Sequence, residues 1–313
     1  MINQIKKFAS RSNIAERIIF LGYCVCSLFY SLLFIVFRIF PIKQHKIVCC
    51  NMKGKRYGDN PKYILDEMIR QNLDYELVWL IKADHDNDMP AEVTRASYNP
   101  FSIAYHLSTA QIWIDSNLKA MGTLKRKKQC YIQTWHGSYG LKKIGIDSNK
   151  KNLLEIRIHQ YNAGMENVML SNSRRTTEIY RQAFGYSGKV LECGSPRNDI
   201  FFEDRKKFRA KVDIYFNSAG KKLLLYAPTY REDFSVECLQ MRFERILETF
   251  SKKFGGDWIL LVRLHPTNLK EAKTFIEYSD RIMNASTYNV MQELLVASDA
   301  LITDYSSCMF DFA

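Results

Sequence analysis

Five short polar segments carry the residues able to move a proton or hold phosphate. Residues 133–145 read QTWHGSYGLKKIG and set His136 beside Gly137, ahead of Lys142 and Lys143. Glycines let a ligand approach the backbone, and free N–H groups with lysines make an anion cradle. A histidine there can take a proton from an attacking hydroxyl. Residues 194–199, GSPRND, add Arg197, a candidate bidentate phosphate partner. Residues 227–231, APTYR, add Thr229 and Arg231. In RLHP, Arg263 and His265 alternate with Leu264, so on a strand both share one face, a cation and an imidazole placed as a transition-state clamp. Residues 303–307, TDYSS, supply Thr303, Ser306 and Ser307 at a strand-to-helix turn, a ready phosphate site, with Asp304 suited to orient a hydroxyl or a lysine. Each segment has a plain structural alternative: a loop or capping histidine, a proline turn, a serine N-cap.

These segments follow apolar runs of strand length. KIVCCNM, ELVWLI, QIWIDSN, CYIQTW, NVMLSNS and KVLECGS form one series; KLLLYAPTY, WILLVRLHP, RIMNAS and ALITDYSS form another. Helical stretches are expected between several of them, at 61–72, 176–184, 237–254 and 290–298. Near-continuous apolar strands alternating with helices predict an α/β fold of parallel sheets covered on both faces, in two Rossmann-like, doubly wound domains. Ligands of such folds sit beyond the carboxyl ends of strands, where the polar segments fall. The expected division is 1–42 for an N-terminal membrane-associated segment, 43–200 for the first domain and 201–313 for the second. The helix opening at Ser306 or Ser307 stops with no cap, so the second domain reads as truncated.

Composition narrows the partners. An apolar content of 47% over 313 residues sustains buried cores, and a net charge of +12 points to an anionic partner. The basic residues are spread along the chain without a nucleic-acid motif, so nucleic acid is not expected as a partner. The eight cysteines form no paired CxxC pattern and read as reduced, buried thiols. No HxxxH or HExxH spacing occurs, so no metal site is expected. Residues 18–37, IIFLGYCVCSLFYSLLFIVF, are uncharged and long enough to cross a bilayer, and Lys or Arg flanks both ends. The downstream excess of Lys and Arg predicts a cell-membrane protein with its body on the cytoplasmic side; a buried or interfacial helix is the alternative.

In order and wording, QTWHG with LKKIG, GSPRND, YAPTYRED, RLHP and LITDYSSCMFDFA resemble the CDP-glycerol glycerophosphotransferase family, which includes teichoic acid primases and polymerases. The resemblance spans residues 133–313. It implies a glycosyltransferase-B-like pair of domains, the first for the acceptor and the second for the CDP-donor. It also implies transfer of glycerol phosphate from CDP-glycerol, or a related CDP-polyol, to a hydroxyl of a membrane-linked polyprenyl acceptor, with release of CMP at the cytoplasmic membrane face. Teichoic-acid-like or capsular polymer is the implied product class. His136 and His265 match the family's two important histidines, and Arg231, Arg263, Thr303, Ser306 and Ser307 its nucleotide and pyrophosphate contacts. No cofactor is implied, and dependence on a divalent cation is left open. Where better-known members read WHGTPLKK, this chain inserts SYG between His136-Gly137 and Leu141-Lys142-Lys143, which leaves the acceptor open. The family also continues past MFDFA. A CDP-ribitol or nucleotide-sugar transferase of the same fold, or a non-catalytic protein binding membrane or anionic polymer, is the competing expectation.

Overall fold

The computed structural model describes residues 13–82, 89–137, 143–148, 153–229, 237–264 and 275–313. Two compact units divide the chain at 197/198.

The first unit begins with helix α1 (Asn13–Phe37), followed by β1 (Lys43–Cys50), α2 (Asp59–Arg70), β2 (Glu76–Ile81), β3 (Val93–Ser97), α3 (Pro100–Thr109), β4 (Ala110–Asp115), β5 (Cys130–Gln133), α4 (Leu153–Ala163), β6 (Val168–Ser171), α5 (Arg174–Phe184) and β7 (Lys189–Glu192). Its seven strands are all parallel, in the order β3-β2-β1-β4-β5-β6-β7. Successive residues of β1 explain the unbroken apolar run. Ile47 and Cys49 pack on one face with Leu65 of α2, while Val48 and Cys50 pack on the other with Phe34 of α1 and Leu107 of α3. Local signals set the helix ends. Asn99 caps α3 by accepting from the N–H of Ser102, with Pro100 behind it, and Ser173 caps α5 by accepting from that of Thr176.

The second unit holds α6 (Arg205–Phe216), β8 (Lys222–Tyr226), α7 (Phe243–Phe254), β9 (Trp258–Val262), β10 (Ile282–Asn284), α8 (Met291–Ala297), β11 (Ala300–Ile302) and α9 (Cys308–Phe312). Its four strands are parallel in the order β10-β9-β8-β11. Leu223 and Leu225 pack against α6 and α8, and Leu224 and Tyr226 against α7.

Three local features differ from the sequence reading. The single helix expected over 237–254 is a short 3-10 turn at Glu237–Leu239 and then α7, and the Tyr226 hydroxyl donates to the Cys238 carbonyl within that turn. Strand β3 and helix α3 come from a stretch without strong apolar periodicity: β3 lies at the sheet edge and leaves Thr94, Arg95 and Ser97 exposed. The cysteines are all free, with Cys49, Cys50 and Cys308 buried but Cys26 and Cys193 exposed.

Helix α1 docks lengthwise on its unit. Phe34 is fully buried against Trp113 and Tyr131. In its C-terminal half, the Ser31 hydroxyl donates to the Gly122 carbonyl at 3.2 Å. Gly122 has φ +93°, and a Cβ there would stand 2.3 Å from the Ser27 carbonyl oxygen. Gly122→Ala should therefore cost about 2 kcal/mol or more in denaturant unfolding and open α1 to protease. Unchanged stability would mean that α1 does not dock on this loop.

Candidate active site

The order of the first sheet reverses between β1 and β4, and that reversal is where an open parallel sheet forms its crevice. The segment after β5 crosses this edge. Register pairs Ile114 with Ile132 and Asp115 with Gln133, so the residues leaving β4 and β5 run side by side. His136 Nδ1 lies 2.7 Å from the carbonyl oxygen of Ser116, the first residue after β4. A carbonyl only accepts, so Nδ1 carries the proton and Nε2 of the neutral ring keeps its lone pair. The imidazole stacks on Trp135 at 4.5 Å between ring centroids, and Trp135 in turn packs on Phe184 at 4.7 Å. Trp135 has φ +54°, a left-handed conformation that a bulky residue adopts only under constraint.

The constraint is a set of hydrogen bonds to the backbone of 134–136. Asn60, buried at the start of α2, donates from Nδ2 to the carbonyl of Trp135 at 3.2 Å. Arg197 is buried and donates from Nη1 to the His136 carbonyl at 2.8 Å and to Asp59 Oδ1 at 3.0 Å, while its own N–H donates to Asn60 Oδ1 at 3.1 Å. Gln133 Oε1 accepts from the Trp135 N–H at 2.9 Å.

Behind the edge lies a buried polar network. Lys119 and Asp115 pair at 2.5 Å, both nearly inaccessible, and Asp115 also accepts from the Asn117 N–H at 2.8 Å. Asn162 bridges both backbone groups of Lys119 at 2.7 and 3.0 Å. Ser116 donates its hydroxyl to Asn51 Oδ1 at 2.6 Å. Gln133 Nε2 reaches Tyr131 Oη at 3.0 Å and Glu166 Oε1 at 3.4 Å. Burial pushes the Glu166 carboxyl up to about 7.

The second sheet aligns the carboxyl ends of β8, β9 and β11. Asp304 Oδ1 accepts from the Thr229 N–H at 2.8 Å and also from its hydroxyl. Thr303 donates its hydroxyl to the Ala227 carbonyl at 2.6 Å. Ser307 stands at the start of α9, and the Ser306 hydroxyl lies 3.5 Å from the Cys308 N–H. Arg263 Nη1 donates to the carbonyls of Ala285 and Tyr288 at 3.0 and 2.6 Å.

Thus Gly137, His136 and Arg197 share the first unit's edge, and Thr229, Arg263, Thr303, Asp304, Ser306 and Ser307 the second's. Lys143 is exposed beyond Gly137. Lys142, Arg231 and His265 lie outside the described residues. Asn60, Ser116 and Glu166 carry no local motif. Only Ser116 has a legible signal, as a polar residue directly after an apolar strand.

Known proteins place the chain in a family. A family model described as CDP-Glycerol:Poly(glycerophosphate) glycerophosphotransferase matches residues 32–313. The teichoic acid poly(glycerol phosphate) polymerase of Staphylococcus epidermidis is 31% identical over 283 residues, covering 87% of this chain but 39% of the polymerase. The chain thus spans well under half of that relative. The teichoic acid glycerol-phosphate transferase of Staphylococcus aureus is 30% identical over 280 residues, covering 83% of this chain and 69% of the transferase. The solved wall teichoic acid polymerase TagF superposes with a TM-score of 0.77 at 27% identity, over 96% of this chain and 76% of its own, and one of its variants was soaked with CDPG.

Glu166 gives a signed test. A carboxyl raised from 4.5 to about 7 holds its proton longer in the folded state than in the unfolded chain. Its contribution is therefore fully present below pH 4.5 and is lost as pH rises towards 7, by up to roughly 3 kcal/mol. Denaturant unfolding at pH 4.5 and 7.5 should show Glu166→Gln gaining on the native protein across that window. Parallel pH curves would remove the buried-acid description.

Proposed function

Because the chain belongs to the CDP-glycerol:poly(glycerophosphate) glycerophosphotransferase family, we propose that it moves glycerol phosphate from CDP-glycerol to a hydroxyl of a membrane-linked acceptor. In this reading, residues 43–200 form the acceptor domain and 201–313 the donor domain of a glycosyltransferase-B-like protein. The acceptor oxygen attacks the β-phosphorus in line, its proton passes to His136 Nε2, the bond to the CMP oxygen breaks, and CMP leaves. Such transfers ask mainly for positioning and charge stabilisation.

The observation that carries the assignment is the bond from His136 Nδ1 to the Ser116 carbonyl, since it leaves a basic Nε2 on a glycine-bordered strand-end segment. His265 beside Arg263 serves the departing charge, a role resting on the RLHP sequence. At the second edge, Thr229 and Thr303 have their hydroxyl protons committed to Asp304 and Ala227. An ionised phosphate needs donors. Ser306 and Ser307 with nearby backbone N–H groups suit the diphosphate, and the two threonines with Asp304 shape the edge. Arg197, held by Asp59, steadies the His136 backbone.

Helix α1 supports a membrane location. Residues 17–37 are long and apolar enough to cross a bilayer. One side is docked on protein, while Ile18, Leu21, Val25, Leu28, Leu32, Ile35 and Ile39 form an exposed apolar stripe. A span would carry the loop docked on α1 into hydrocarbon, so the docked geometry favours a helix lying in the interface. Lys125–Lys128, KRKK, adjoins its end: Arg126 donates to the carbonyls of Phe40 and Arg38 at 2.8 and 3.2 Å. These cations suit acidic headgroups on the cytoplasmic leaflet.

A panel of CDP-glycerol, CDP-ribitol and UDP-sugars, with released CMP or UDP as readout, tests the donor. CDP-glycerol should be consumed in preference. Consumption of none of the CDP-polyols would overturn the proposal. His136→Ala should lower turnover by ~10²–10⁴-fold with donor KM nearly unchanged. Turnover within a few-fold of the native protein would remove His136 as the base.

A further inference from the structure

The loop between β1 and α2, residues 51–58, enters the site described above only through Asn51, which accepts from Ser116. It leaves the first sheet where the strand order reverses, the place at which parallel α/β sheets take ligands. Its backbone is constrained. Met52, Lys53 and Gly54 adopt φ of +47°, +56° and +76° in succession, a conformation that side chains disfavour. Gly54 enforces it. Its N–H donates to the Asn51 carbonyl at 2.9 Å, its carbonyl accepts from the Lys82 N–H at 2.8 Å, and a Cβ would stand 2.6 Å from the Tyr98 ring. Strain of this kind persists where surrounding structure holds it and gathers at functional loops.

The loop carries three cations: Lys53 and Lys55 are exposed and Arg56 is half-buried. Nearby described carboxylates are engaged elsewhere, Asp59 with Arg197, Asp66 with Lys62 and the Tyr57 hydroxyl, and Asp115 with Lys119. Both ends of the loop are tied to the segment carrying His136. Asn51 accepts from Ser116, whose carbonyl holds the imidazole. Asn60, two residues past the loop, donates to the Trp135 carbonyl, and Asp59 holds the arginine bound to the His136 carbonyl. The loop bearing the cations is therefore anchored at both ends to the segment of the proposed base.

We infer that Lys53, Lys55 and Arg56 bind a phosphodiester of the acceptor chain, the one adjoining the hydroxyl that His136 deprotonates. The inference rests on the transferase reading above. An acceptor ending in glycerol phosphate carries such a group a few bonds from its attacking oxygen. Lysine and arginine match it, because a phosphodiester only accepts hydrogen bonds and these side chains only donate. The loop then selects a phosphorylated chain end over a neutral polyol and orients its hydroxyl.

The test is binding of a short poly(glycerol phosphate) oligomer, and of neutral polyglycerol of equal length, to the full chain and to Lys53→Ala/Lys55→Ala/Arg56→Ala. The variant should bind the oligomer at least about tenfold more weakly, with a shallower salt dependence. The double variant Lys53→Ala/Lys55→Ala, which alters exposed side chains alone, should show the same direction. In the transfer assay the acceptor KM should rise by a similar factor while the KM for CDP-glycerol stays put. Equal oligomer binding by variant and native protein, or equal affinity for the neutral chain, overturns the inference. So does a loss confined to phosphatidylglycerol vesicles, which would assign the cations to lipid headgroups. Binding is read without turnover. A chain that holds the oligomer through these cations yet consumes no CDP-polyol refutes the transferase reading and leaves the phosphate site standing.

Discussion

The hydrogen bond from the His136 imidazole to the Ser116 carbonyl governs how the first unit's edge is built. A carbonyl cannot donate, so one 2.7 Å contact selects the tautomer of the neutral ring and leaves the opposite nitrogen its lone pair. That contact requires two chain segments to leave adjacent parallel strands in step, which the β4–β5 register supplies. It also requires the turn after β4 to stay in place, and the buried Asp115–Lys119 pair grips that turn from within. A buried ion pair adds little net stability once desolvation is counted. Its value here is geometric, since a displaced Ser116 carbonyl would release the ring.

Both units obey the same rule with different means. In the first, amide and guanidinium side chains from distant segments hold the backbone of 134–136, so the imidazole is fixed through its main chain. In the second, a carboxylate and two threonine hydroxyls close the gap between neighbouring strands. Charged and amide groups are spent on architecture at both edges.

Much of this was legible from residue order. Runs such as ELVWLI and WILLV are apolar on both faces because both faces are covered, and they announce central parallel strands. Edge strand β3, VTRAS, shows only two buried residues and passes for loop. His136 stands out because the glycine and lysines that mark a candidate site stand beside it in sequence. Asn60 does not, since its partners lie 74 and 75 positions away and GDNP reads as an ordinary helix start. Asp304 is clearer in structure than in sequence: acidic in a segment read as anion-binding, it accepts from Thr229 across 75 positions. Arg197 shows the limit of residue type as evidence. A guanidinium suits phosphate and carboxylate alike, and only the fold reveals that Asp59 takes it.

Arg126 has a consequence beyond local bonding. By gripping the carbonyls of Arg38, Phe40 and Ser108, it welds the exit of α1 to the end of α3. Helix and first sheet therefore turn as one object. With α1 settled in a lipid surface, the rim bearing His136 would keep a constant standoff and azimuth above it. On the transferase reading proposed above, a tethered acceptor would meet the rim by diffusing in two dimensions at one fixed height, and its anchor length, more than its affinity, would decide whether its hydroxyl arrives.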